Sequence, residues 1–120
     1  MPKITTKRVY DPPAPQDGLR VLVDRLWPRG LSKAAARADL WLKDAAPSAE
    51  LRRWFNHEPE RWRGFCARYE AELADAGAAL RALDAAAAGH DVITLLYAAR
   101  DPERNNAAAL KAFLERKPPA

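Results

Sequence analysis

The sequence predicts a small α/β protein, a largely parallel sheet with helices packed on its faces, formed as one domain over residues 1–120. Three observations predict it. Val21-Leu22-Val23 and residues 92–97 are short, continuous apolar runs, the pattern of strands buried on both faces. Between them, Trp62, Phe65, Tyr69, Leu73, Ala76, Leu80 and Leu83 recur at spacings of three and four, the stripe of an amphipathic helix. Strands separated by helical segments, in a chain of 120 residues, fit one core built from parallel crossovers.

The elements follow in order. Residues 4–10 carry Thr and Val among charges and read as a strand near a sheet edge. Residues 11–18 form a loop stiffened by Pro12, Pro13 and Pro15. Residues 20–24 are the second strand. Ser32 caps a short alanine-rich helix through Ala38. Residues 39–43, centred on Leu40-Trp41-Leu42, read as a third strand, although so short an apolar run also fits a helix. Ser48 caps a helix over residues 49–55. Pro59 sits in the first turn of the long striped helix, Gly77 breaks or bends it, and Gly89 ends it. After the strand at residues 92–97, Asp101-Pro102-Glu103 has the composition of a helix start. The last helix buries Leu110, Phe113 and Leu114, and residues 117–120 form a frayed tail.

Composition narrows the classes of function. Hydrophobic residues at 48% exclude an intrinsically disordered chain. A net charge of +4 favours anionic partners in general: phosphates, nucleotides, nucleic acid. No signal-peptide hydrophobic region and no apolar run of roughly 20 residues is present, so a cytoplasmic protein without a membrane span is expected. The single cysteine, Cys66, excludes an internal disulfide framework and a cysteine-built zinc site.

In parallel sheets ligands bind beyond the carboxyl ends of the strands, and three predicted strands end in polar clusters. The second ends at Asp24 and Arg25, followed by Trp27 and Arg29. The third ends at Lys43 and Asp44, followed by Ser48. The last ends at Tyr97, followed by Arg100 and Asp101. These ten residues form the expected rim site, one for an anionic, phosphate- or nucleotide-like small molecule. Guanidinium groups match phosphate and carboxylate oxygens in bidentate fashion, and Trp27 and Tyr97 offer rings for stacking. The competing reading pairs the arginines internally with Asp24, Asp44 or Asp101 as a structural network. A nucleic-acid-associated or interaction module without catalysis is the alternative class of function, supported by tryptophans beside arginines.

Other features have plainer readings. Trp41 and Trp62 sit in apolar patterns and read as packing residues. His57 is either a general base or a helix-start residue, and two isolated histidines, His57 and His90, make a poor metal site. Cys66 lies beside the apolar stripe as a small hydrophobe. Arg52, Arg53, Arg61, Arg63 and Arg68 alternate with Glu50, Glu58, Glu60 and Glu70, as on a solvated helix face. No phosphate loop, dinucleotide glycine fingerprint or nucleophile elbow is present.

Arg8-Val9-Tyr10-Asp11-Pro12-Pro13, then Asp17-Gly18 leading into the run from Arg20 to Gly30, resembles the domain of unknown function 488 family in its YeaO-like branch. So do the stretches from Trp41 to Ser48, from Leu51 to Pro59, and from Leu95 to Asp101 with Asn105-Asn106. The resemblance covers nearly the whole chain. It implies a small α/β domain and no particular reaction. Other branches of that wider family carry a cysteine just after the last strand, where this chain has the Tyr97 neighbourhood. YeaO-like relatives commonly carry a histidine before the Asn-Asn pair, where this chain has Arg104.

Overall fold

The computed structural model describes residues 2–116. Four strands, β1 (Lys3–Arg8), β2 (Leu19–Leu22), β3 (Leu40–Trp41) and β4 (Val92–Tyr97), form one sheet in the order β1-β4-β2-β3, with every neighbouring pair parallel. The helices are α1 (Lys33–Ala36), α2 (Ala49–Phe55), α3 (Trp62–Ala74), α4 (Gly77–Ala87) and α5 (Asn106–Arg116). The α/β class and the parallel sheet are therefore as the sequence predicts.

The two central strands are apolar on both faces, which is what their continuous runs demand. Val21, Val23, Ile93, Leu95 and Tyr97 point into the larger core, with Phe65, Tyr69, Leu73, Leu80, Leu83 and Leu110 from the helices. Leu22 and Leu96 point the other way, into a smaller cluster with Val9 and Ala36 that Trp27 and Leu31 help cover. β1 lies at an edge, as its charges predict.

Four segments differ from the sequence reading. β3 is only two residues long, because Leu42 leaves extended geometry and residues Lys43–Ala45 wind into a 3-10 turn that buries Ala45 and Ala46. The long stripe is broken rather than bent, the first of the two outcomes expected at Gly77, but the break comes ahead of the glycine: α3 ends before Asp75 and Gly77 opens α4. Both halves keep the same buried face, so the periodicity runs through the break unseen. Pro59 occupies a 3-10 turn, Pro59–Arg61, that precedes α3. Finally, α5 begins one turn later than the Asp101-Pro102-Glu103 signal. Asn105 caps it by accepting from the Ala108 N–H at 2.8 Å, while Asp101 accepts from the Glu103 and Arg104 N–H groups in a separate turn. Ser32 and Ser48 cap α1 and α2 as expected. The tail at residues 117–120 lies outside the described residues.

A buried polar knot holds the start of β2. The Arg20 guanidinium, 5% exposed, pairs with Asp17 and donates to the Ala36 and Arg37 carbonyls that end α1. Lys7 adds a second cation at 3.1 Å from Asp17, and Thr94 donates to the Asp17 carbonyl. Burial works to raise the Asp17 pKa, but the Ala14 N–H, Lys7 and Arg20 together outweigh it and hold the carboxyl below its ordinary range. Next to this knot, Gly18 has φ 65°, and a Cβ there would run into the Val92 carbonyl.

An Asp17→Asn variant should lose about 3 kcal/mol at neutral pH, the low end for breaking a buried pair because Lys7 stays partly exposed. A carboxyl with a depressed folded pKa stabilises above its unfolded pKa, and that contribution disappears as pH falls through the folded value. The gap between wild type and variant, followed by urea denaturation, should therefore be full at pH 7 and narrow below the ordinary aspartate value of 3.8.

Candidate functional site

β2 remains paired one residue past its end, through the Val23 N–H to the Leu96 carbonyl at 3.1 Å, and then turns away at Asp24. β4 ends beside it at Tyr97. The chain leaves these two neighbours in different directions, β2 toward α1 and β3, and β4 toward α5, which packs on β1 and β4. A crevice between the carboxyl ends of two such strands is where parallel sheets hold ligands. Here a cleft of 380 Å³ occupies it.

The floor of the cleft is a network centred on Asp24. One carboxylate oxygen accepts from the Ala98 N–H at 3.0 Å, and the other accepts from the Asn106 amide at 2.7 Å. The same Asn106 amide also donates to the Val23 carbonyl at 2.7 Å. Burial pushes the Asp24 carboxyl above the usual aspartate range, and its two hydrogen bonds and the Arg52 charge offset only part of that. The walls are apolar and aromatic, from Trp27, Pro28, Pro47, Phe55 and Phe65. Arg25, Arg29, Arg52 and Arg104 line it as well, with His57.

These arginines differ in what they do. Arg25 donates from Nε to the Pro47 carbonyl at 3.2 Å and from a terminal nitrogen to the Ala46 carbonyl at 3.1 Å, which pins the turn before α2. Arg104 pairs with Asp101 at 3.2 Å. Arg29 and Arg52 are exposed and have no ion pair among the described residues. Arg29 offers only its backbone carbonyl, which accepts from the Tyr10 hydroxyl at 2.9 Å. Trp27 donates its indole N–H to the Leu31 carbonyl at 2.6 Å, so it anchors its own loop as well as walling the cleft. His57 reaches the lip through two successive left-handed residues, Asn56 at φ 48° and His57 at φ 54°. Asn56 is the residue that ends α2, its N–H bonding back to the Arg52 carbonyl.

The structure thus brings together Asp24, Arg25, Trp27 and Arg29 of the ten rim residues. Arg100 and Asp101 line an adjoining basin instead. Lys43 lies over the Trp41 ring, 5.2 Å from its centroid, away from the cleft. Asp44 and Ser48 line a different depression beside Glu72. The Ser48 hydroxyl donates to Glu72 at 2.6 Å while it caps α2. Tyr97 is 4% exposed and faces the larger core, where burial raises its pKa. A six-residue strand sends alternate side chains to opposite faces, and Tyr97 falls on the core face with Ile93 and Leu95. Trp41 is more exposed than its apolar neighbourhood predicts, at 38%, and meets the Trp27 ring edge-on at 5.4 Å between centroids. Trp62 packs on the core as expected.

Sequence reasoning missed Arg52 and Asn106 as parts of one site. Arg52 lies in a helix where acidic and basic residues alternate, which masks the one cation aimed at the cleft. Asn106 carried a signal only through the family-like Asn-Asn pair. Among the described residues, no group of three potential metal ligands is present and no helix is long and apolar enough to cross a membrane.

The divided roles predict divided mutational effects. Arg25→Ala should cost about 1.5–3 kcal/mol, the usual range for hydrogen bonds made by a charged group. Arg29→Ala should shift stability by less than about 0.5 kcal/mol. Urea denaturation of the two variants beside wild type checks both.

Comparison with known proteins agrees with the family-like motifs. The family model DUF488-N3i, described as the inactive DUF488-N3 subclade, matches residues 3–118. The uncharacterized protein Rv3073c of Mycobacterium tuberculosis is 45% identical over 114 residues, covering 93% of each chain. The uncharacterized protein YeaO of Escherichia coli is 43% identical over 111 residues, covering 92% of this chain and 96% of its own. No solved structure matches. With a family model that spans all four strands and YeaO similar along nearly its full length, the chain belongs to the DUF488 family, in its YeaO-like branch.

Proposed function

We propose that the cleft at the ends of β2 and β4 binds an anionic small molecule of phosphate or nucleotide type. The observation that carries this reading is a charge imbalance. Arg29 and Arg52 present guanidinium groups at the cleft without an ion pair among the described residues. Among the described residues one carboxylate lines the cleft, that of Asp24, and it is already engaged by Ala98 and Asn106. An anion entering the cleft meets two guanidinium groups held in no ion pair among the described residues, Arg52 being offset only at a distance by the hydrogen-bonded Asp24 carboxylate. Trp27, Phe55, Phe65 and the two prolines supply apolar wall for a ring, and 380 Å³ is within the range of small-molecule sites.

Binding without turnover is the favoured form of this function. The matching family model is described as inactive. A concave site of this size also suits a small molecule better than a nucleic-acid duplex, whose phosphates would need an extended basic surface.

Isothermal titration calorimetry with AMP and UMP tests the proposal. Saturable binding of either, weakened about tenfold or more in Arg29→Ala and Arg52→Ala at unchanged melting temperature, is the expected result; tenfold corresponds to about 1.4 kcal/mol. No binding of either nucleotide at millimolar concentration contradicts it. Duplex DNA bound with a steep salt dependence, in place of the nucleotides, would move the function to the nucleic-acid class.

A further inference from the structure

A second concavity of 870 Å³ adjoins the cleft and shares four of its wall residues, Tyr10, His57, Ala98 and Ala99. Two cations belong to this outer basin alone, Arg8 and Arg100. Arg8 lies over the Tyr10 ring, 4.8 Å from its centroid, and donates once, from Nε to the Ala99 carbonyl at 3.2 Å. Neither Arg8 nor Arg100 forms an ion pair among the described residues. Among the described residues the basin has one carboxylate, Asp101, and it pairs with neither. It is committed to the Glu103 and Arg104 N–H groups and to the Arg104 guanidinium, and those bonds hold its pKa below the ordinary range.

Two pairs of guanidinium groups without an ion pair among the described residues therefore line the hollows on either side of one strip of chain: Arg29 and Arg52 in the cleft, Arg8 and Arg100 in the basin. Ala98 and Ala99, which form the strip, carry only methyl groups, and Tyr10 and His57 complete the boundary the two hollows share. The apolar and aromatic walls lie on the cleft side. A molecule that satisfied both sides needs a ring at one end and more than one anionic group toward the other.

We infer that the occupant is bipartite, a planar ring in the cleft joined to at least two linked phosphoryl groups that extend past Ala98 and Ala99 to Arg8 and Arg100, as in a nucleoside diphosphate. This rests on the cleft being an anion site. It adds the number of anionic groups and the residues that read the second one. Arg8 and Arg100 act as specificity residues: they favour a diphosphate over a monophosphate and leave the monophosphate's affinity unchanged.

The test is calorimetric titration with AMP against ADP and UMP against UDP, in wild type, Arg100→Ala and Arg8→Lys. Arg8→Lys keeps the charge but loses the planar fork, and a melting curve checks that each variant is folded. In at least one nucleotide pair the diphosphate should bind wild type about tenfold more tightly than the monophosphate. Arg100→Ala should erase that advantage while monophosphate affinity holds, and Arg8→Lys should reduce it. Equal affinity for mono- and diphosphate in both pairs overturns the inference. So does an Arg100→Ala variant that weakens both members of a pair alike. Either outcome leaves the anion site itself standing, whereas binding of none of the four nucleotides removes the anion site and the inference together.

Discussion

The carboxylate of Asp24 is the joint on which the rest of the structure's working end depends. Two parallel strands that lie side by side must part where the chain leaves them, and their last backbone groups lose their ladder partners there. Asp24 replaces what is lost. It accepts from the Ala98 N–H just beyond β4 and from the Asn106 amide at the start of α5, and Asn106 in turn donates to the Val23 carbonyl. Three segments, the end of β2, the residue after β4 and the start of α5, are tied at one point, and the cleft opens above it. Arg25, the next residue, extends the tie to a fourth by holding the Ala46 and Pro47 carbonyls ahead of α2. Burying a carboxylate in this way carries a cost, visible in its raised pKa, and the two amide donors, with the Arg52 charge, offset only part of it.

That choice of partner has a consequence for charge. Had Asp24 taken an arginine as its partner, a rim cation would have been consumed. With Asn106 and a backbone amide in that role, Arg29 and Arg52 form no ion pair among the described residues, although the Arg52 charge is felt at Asp24. The opposite arrangement holds at the start of β2, where Arg20 and Lys7 are both committed to the single buried carboxylate of Asp17. Charged residues thus serve scaffold at one place and remain available at another, and net charge alone does not separate the two uses.

Much of the fold was legible in the sequence because its strongest signals are periodic. The two fully buried strands declare themselves by continuous apolar runs, and the striped helical segment by its spacing. What periodicity cannot register is a break that preserves the stripe, so only Gly77 signalled the interruption between α3 and α4, and it left a break and a bend equally open. Nor does a local cap signal say which of two nearby polar residues faces the helix: Asp101 has the better composition, but Asn105 has the geometry. The rim site was partly legible. The residues just after β2 do line the cleft, since a strand end must deliver its next side chains to the rim. Tyr97 does not, because strand alternation turns it into the core, and Lys43, Asp44 and Ser48 are carried away by the turn that replaces the rest of β3. Arg52 and Asn106 come from helices whose orientation only tertiary packing fixes.

The Ala98 amide is an unusual reporter of this joint. It lies past the last ladder bond of β4, where an ordinary strand end would exchange rapidly with solvent, yet here it donates to the Asp24 carboxylate. Residue-resolved hydrogen exchange by NMR on the wild-type protein and on Asp24→Ala measures the joint directly. Protection at Ala98 in wild type, lost in the variant while the Leu95 amide inside β4 stays protected, is the predicted result. An Ala98 amide that exchanges as fast in wild type as in the variant would contradict it, and the cleft would then need another explanation for its shape.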